Sequence, residues 1–139
     1  MYRDSKTRWT LKLPYQKPPL NMNQRLHWAK KAKLTKNIRS SAYFLARSQR
    51  IPACKHINVQ LHYVPRDNRR RDPSNLIATQ KPIVDGLVQA GIVPDDTPEY
   101  VTEAMPKIHP ADKAATVRMW LTIDAVSYTH LTLPTSDLV

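Results

Sequence analysis

One cysteine, no membrane-length apolar run and half as many acids as bases are the first constraints on this 139-residue chain. A single thiol, Cys54, cannot close an intramolecular disulfide, and one thiol beside scattered histidines fits no zinc spacing, so a disulfide scaffold and a structural zinc are set aside. Cys54 follows Pro52 and Ala53 at the entrance to a strand and reads as a core thiol, not a nucleophile. No window approaches the roughly 20 consecutive apolar residues of a membrane span, and the opening MYRDSKTRW has no apolar signal core. The expectation is a cytoplasmic protein with no membrane partner. Eleven acids against 22 bases leave a net charge of +11.

With 41% apolar residues and 24% charged, the chain has enough hydrophobic material for one folded domain, so the positive excess is not that of a disordered tail. Trp9, Leu11 and Leu13 alternate with Thr10 and Lys12, the period-two pattern of a half-buried strand, and a Pro- and Asn-rich loop follows over 14–23. Residues 25–50 turn to helical spacing through Leu34, Ile38, Ala42 and Leu45, with lysines and arginines on the other faces and a weak point near Thr35. Ile57, Val59, Leu61 and Tyr63 mark a second strand. A second helix is expected from Thr79 as N-cap, because Pro82 suits only a first turn, ending at Gly91 with Ile92 packing back. A third strand lies within 100–108, 107–113 reads as a hairpin connection, and a fourth strand runs through Val117, Met119, Leu121 and Ile123. Trp9, Trp120 and Phe44 fall on patterned apolar positions and read as core. The order predicts an α+β, layered fold: a small mixed sheet of about four strands with two main helices.

The end of the chain departs from this pattern. VSYTHLTLPTSDLV contains no basic residue and follows a strand that already completes the fold. The string 126–135 looks like the in-frame translation of a transposase-type sequencing adapter, so the domain is taken as residues 1–125 and 126–139 as a scar outside it. A genuine edge strand is the alternative.

The basic excess, spread over the first helix and the loop RDNRRRDPSN, points to a polyanion, with nucleic acid the commonest. Yet Asp67, Asp72, Asp85, Asp95 and Asp96 share one thirty-residue window with Lys81. Acids there repel a phosphate backbone unless a divalent cation sits between the two, and Mg²⁺ is held by one or two carboxylates together with waters and phosphate oxygens. The plainer readings are a surface ion pair for Lys81 and Asp85, four apart on a helix, and turn initiation by Asp72, Asp95 and Asp96 beside prolines.

The runs RRRDPSNL and QKPIVDGLVQAGIVPDD, with LPYQKPPLNMNQRLHW before them and VRMWLTID after, resemble the RusA-like Holliday junction resolvases of phage and actinobacterial type. The resemblance covers residues 9–125. It implies a crossover junction endodeoxyribonuclease using Mg²⁺, with Mn²⁺ a substitute, acting on four-way junctions as a homodimer in a bacterial or phage-infected cell. By position, Asp72 and Asp96 become catalytic metal carboxylates, Lys81 the catalytic lysine, and Asp95 and Asp85 further metal-side acids. Ser74 stands where the family places a second acid and joins the metal set through its hydroxyl, which can ligand Mg²⁺ or hold a bound water without adding charge, and about three extra residues separate Leu76 from Lys81. Arg69, Arg70 and Arg71 are placed to hold the DNA backbone, with Asn21, Asn23, Arg25 and His27 as further DNA contacts; His27 and Trp28 serve equally well as anchors of the loop to the core. The alternative is a catalytically weak or inactive branched-DNA-binding protein.

Overall fold

A computed structural model describes residues 6–127. The elements run β1 (Lys6–Leu13), α1 (Trp28–Ser48), β2 (Cys54–Tyr63), a 3-10 turn (Pro73–Leu76), α2 (Ile77–Gln89), β3 (Val101–Glu103), β4 (Lys107–Ile108) and β5 (Met119–Ser127). They form the expected α+β architecture: one mixed sheet with two helices packed on one face.

The sheet order is β1-β5-β2-β3, with β4 also pairing β2. β5 lies antiparallel between β1 and β2, setting Leu11 opposite Leu121 and Val59 opposite Ile123. β3 and β4 both run parallel to β2 on its other flank. The hairpin expected over 107–113 is therefore absent: β2 separates β4 from β5, and the connection passes across the end of the sheet. Buried Arg118 fastens that connection, its guanidinium donating to the carbonyls of Val64, Asp112 and Lys113 while its Nε finds no partner. The expected third strand is two short ones, interrupted at 104–106 by a segment containing Pro106, which has no N–H to give a ladder.

Inward-facing Leu11, Leu13, Ile57, Val59, Leu61, Leu121 and Ile123 meet Ile38, Ala42 and Ala46 of α1 and Ile83, Val84 and Leu87 of α2 in one core. α1 is unbroken through Thr35. The helices cross where α2 presents Gly86: a Cβ there would strike the Arg39 carbonyl oxygen and lie 2.8 Å from Ala42 Cβ. α2 ends as expected. Gly91 takes φ +84°, its N–H donates to Val88 O, and buried Ile92 donates back to Leu87 O, a Schellman termination.

Its start differs. Pro82 lies inside α2, and buried Thr79 is not a cap but a clamp, donating to Leu20 O at 2.7 Å and accepting from Leu20 N–H at 3.2 Å, which docks the Pro-rich loop. Cys54 is buried, with burial pushing its thiol pKa up. Phe44 departs from its expected core position; its side chain is 67% exposed.

Trp120 also points away from the core, onto the face that the helices leave uncovered. It stacks on His62 at 5.2 Å and contacts His109 at 5.1 Å. β5 continues through Val126 and Ser127, in register with β1 and β2, two residues past the expected domain boundary. The remainder of the suspected adapter segment, 128–139, lies outside the described residues.

Candidate functional site

The acids and bases singled out in the sequence fall into two sets along α2. The first lies at its entry. Asp72 caps the 3-10 turn, its Oδ1 accepting from the Ser74 backbone N–H at 3.0 Å and from the Ser74 hydroxyl at 2.9 Å. These two hydrogen bonds, with a smaller contribution from Arg70, hold its carboxyl below the usual range. Ser74 thus brings no charge of its own but keeps Asp72 ionised. A cavity of about 210 Å³ opens beside it, lined by Asn21, Tyr63, Arg70, Arg71, Asp72 and Asn75 among others.

The second set lies on the exposed side of α2. Lys81 Nζ sits 3.3 Å from Glu103 Oε2 and 3.8 Å from Asp96 Oδ2. Burial pulls the Lys81 pKa down, but Glu103, Asp96 and Asp85 outweigh it and the net shift is upward, so this lysine is a firm cation. Asp85 moves the other way for a carboxylate: burial and then Asp96 raise its pKa against the opposing pull of Lys81 and Arg39, with Glu103 raising it further. Asp95 accepts from the Asp96 N–H at 2.7 Å, shaping the turn that presents Asp96.

Glu103 was not singled out in the sequence, and neither was the residue that places it. Because the sheet edge is interrupted between β3 and β4, Leu61 N–H would lack a partner; the side chain of buried Gln80 fills the gap. Its Oε1 accepts from Leu61 N–H at 2.9 Å and its Nε2 donates to Ala104 O at 3.2 Å and, at 3.5 Å, to Glu103 Oε1. In the sequence Gln80 is the middle of three consecutive polar residues, Thr79 to Lys81, and nothing local sets it apart from its neighbours.

The two sets are distinct: the charge acting on Asp72 comes from Arg70, those acting on Lys81 and Asp85 come from Glu103, Asp96, Arg39 and each other, and the cavity beside Asp72 is lined by none of the second set. Among the described residues, no three His, Cys, Asp or Glu side chains converge as a ready cation site.

Several expected DNA contacts have structural partners. Arg69 and Arg71 both pair with Asp67, at 3.1 and 3.0 Å, and Arg71 also donates to the carbonyls of Asp67 and Arg69. They brace their own loop, leaving Arg70 to border Asp72. Asn21 Oδ1 accepts from Asn23 N–H, and Met22 N–H donates to Asn75 O, fixing the amino-terminal loop over the first set. His27 is the N-cap of α1, its Nδ1 accepting from Ala29 N–H at 3.2 Å, and neither it nor Trp28 anchors the loop in the core, for both are exposed. Arg25 is exposed beside them.

The chain matches no protein-family model and no curated protein.

Proposed function

We propose that this protein is a Mg²⁺-dependent, structure-selective endodeoxyribonuclease of branched DNA, of the RusA-like kind that its motifs resemble. The observation that carries the proposal is the second set: Asp96 and Glu103 paired with the ammonium of Lys81, and Asp85 within their field, its carboxyl pKa raised by burial first and then by Asp96. Three carboxylates against Lys81 and, at Asp85, Arg39 still leave a local acidic excess within a basic protein. Hard oxygen donors in deficit of positive charge suit Mg²⁺, and Mn²⁺ shares that preference.

Asp96 and Asp85, with Glu103 and the adjoining Asp95, would hold the ion; when bound it supplies an activated water and shields charge on the phosphate. Lys81, kept cationic by its neighbours, stabilises negative charge on the scissile phosphate oxygens. Asp72, held ionised by Ser74 and bordered by Arg70 and Asn21 in its cavity, is the further carboxylate that this reading assigns to the site. Symmetric nicking of a four-way junction calls for a twofold homodimer. No helix among the described residues is long and apolar enough to cross a membrane, which accords with a cytoplasmic setting.

A synthetic four-way junction incubated with the protein, with Mg²⁺, Mn²⁺ or chelator, tests the reading. Cleavage is expected only with metal, and Asp96→Asn and Asp72→Asn should each lose it by orders of magnitude while retaining or tightening binding. Junctions that are bound yet never nicked with either metal would remove the enzyme assignment. Ser74, which stands beside Asp72 and brings no charge, favours one second reading, a catalytically silent branched-DNA binder. In that case Ser74→Asp, which restores a carboxylate beside Asp72, is expected to awaken cleavage, whereas in an active enzyme it changes little.

A further inference from the structure

The most exposed aromatic side chain in the described structure is not near the acids at all. Trp28, 76% exposed, stands at the first residue of α1 with the His27 ring 5.5 Å away. From it a shallow groove follows one face of the helix past Lys31, Thr35, Lys36 and Arg39, at helical spacings of three, four, one and three. α1 contains no acidic residue over its 21 positions. Trp28 to Arg39 spans about 16 Å of helix, close to five base steps at 3.4 Å per strand rise.

The far end of this groove leads to the acids. α1 crosses α2 at Gly86, where the Arg39 carbonyl and Ala42 make the closest approach, and Asp85 is the residue before that glycine. Arg39 is also among the cations that pull the Asp85 carboxyl downward, so the two side chains share a local field.

From this geometry we infer that the Trp28-to-Arg39 face of α1 binds a DNA strand, with Trp28 stacking on an unpaired base at a branch and Lys31, Lys36 and Arg39 following the backbone toward Asp85 and Lys81. The inference rests on the proposed nuclease reading for what happens at the acids, but not for the binding itself. An exposed tryptophan beside cations matches single-stranded DNA on both counts, the base stacking on the ring and the phosphates meeting the neighbouring charge. A second copy of the chain fits poorly. An isologous contact through this face would set Lys31, Lys36 and Arg39 against their own images, repelling across the twofold axis.

The test uses the full chain with three fluorescent DNAs: single-stranded, fully paired duplex, and a branched duplex carrying 2-aminopurine at the unpaired branch position. Wild type should quench 2-aminopurine on binding. Trp28→Ala should abolish the quenching and weaken binding to single-stranded and branched DNA at least fivefold, while duplex binding changes less than twofold. Trp28→Phe should restore much of both. Lys36→Ala combined with Arg39→Ala should weaken all three DNAs together and flatten the salt dependence. Unchanged quenching and affinity in Trp28→Ala overturns the inference, as does a Trp28→Ala protein whose sedimentation shows dissociation of a wild-type oligomer, which would make this face a subunit contact. Wild type that binds none of the DNAs overturns both this inference and the nuclease reading; wild type that cleaves junctions indifferently to Trp28 overturns this one alone.

Discussion

Gln80 shows how much of this site depends on one side chain with no chemistry of its own. Its amide substitutes for a missing stretch of edge strand, and in doing so it holds Ala104 and Glu103 beside Lys81. Gln80→Ala leaves Leu61 N–H buried without a partner, a loss of about 1–3 kcal/mol in unfolding free energy by urea titration. Gln80→Glu can still accept from Leu61 but cannot donate to Ala104, and it adds a fourth acid to the set, so a loss at least as large is expected at neutral pH with partial recovery near pH 4.

His62 provides a second residue-scale test, on the opposite face. The Thr122 hydroxyl donates to Gln60 O, so it accepts from His62 Nε2–H at 3.1 Å, which leaves His62 Nδ1 to accept from His109 Nε2–H at 2.9 Å. That arrangement requires a neutral His62. Burial, reinforced by His109, Lys107 and Arg8, lowers its pKa from 6.5 to about 4. A folded-state pKa below the unfolded one means the unfolded chain binds more protons between those values, so the contribution is complete above pH 6.5 and lost as pH falls toward 4. After discounting for the ring's partial exposure, the loss from this residue is about 1–2 kcal/mol. Unfolding measured from pH 7 to pH 4.5 should show this decline in wild type and a shallower one in His62→Gln; parallel curves would mean that the histidine contributes nothing to the pH dependence.

At the scale of elements, what could be read from the sequence was what is local. Alternation gave β1, β2 and β5, because each has one face toward the helices and the period-two pattern reports that directly. Gly91 marked the end of α2 because only a residue tolerant of positive φ closes a Schellman turn without strain. The hairpin failed because adjacency in a sheet is not a local property: the segment after β4 leads to β5 with β2 between them, and no residue in 107–113 encodes that. Phe44 failed for a related reason, since a helix periodicity identifies the stripe but not how far the partner extends. In the site, Lys81 and Asp96 stood out by type and nearness in the sequence, and the structure sets them 3.8 Å apart, whereas the ion pair expected between Lys81 and Asp85 gives way to one with Glu103, whose place depends on a strand break visible only in three dimensions.

Helix–helix contact supplies the prediction at this scale. Gly86 lets the backbones of α1 and α2 approach so closely that Gly86→Ala places its methyl against Arg39 O and Ala42. Backbone cannot step aside as a side chain can. A destabilisation of about 1–3 kcal/mol is expected from overpacking, read as a lower urea midpoint with an unchanged slope. Because the crossing also sets Arg39 beside Asp85, the same variant should lose DNA affinity before it loses its fold.

For the whole molecule, the distribution of charge decides more than its total. Much of the +11 excess lies on a helix with no acids, while the arginines of the 66–71 loop are partly engaged by Asp67 and, on the uncovered sheet face, Arg8 pairs with Asp124 at 2.7 Å. Exposed pairs such as Arg8 and Asp124 add little stability, but they cancel field locally, and the uncancelled charge is then concentrated on α1. Binding that releases counterions from DNA depends on the number of phosphates neutralised, with a slope of about −0.9 per phosphate in log K against log salt. If α1 forms the contact surface, Lys31→Glu with Lys36→Glu should reduce that slope by about 2 for duplex DNA. Arg8→Glu on the far face should leave it unchanged. Affinity measured by anisotropy from 50 to 300 mM salt separates the two outcomes: equal loss of slope in both variants would show that net charge alone governs association, whereas loss confined to the α1 variant assigns binding to the helix that leads to Asp85 and Lys81.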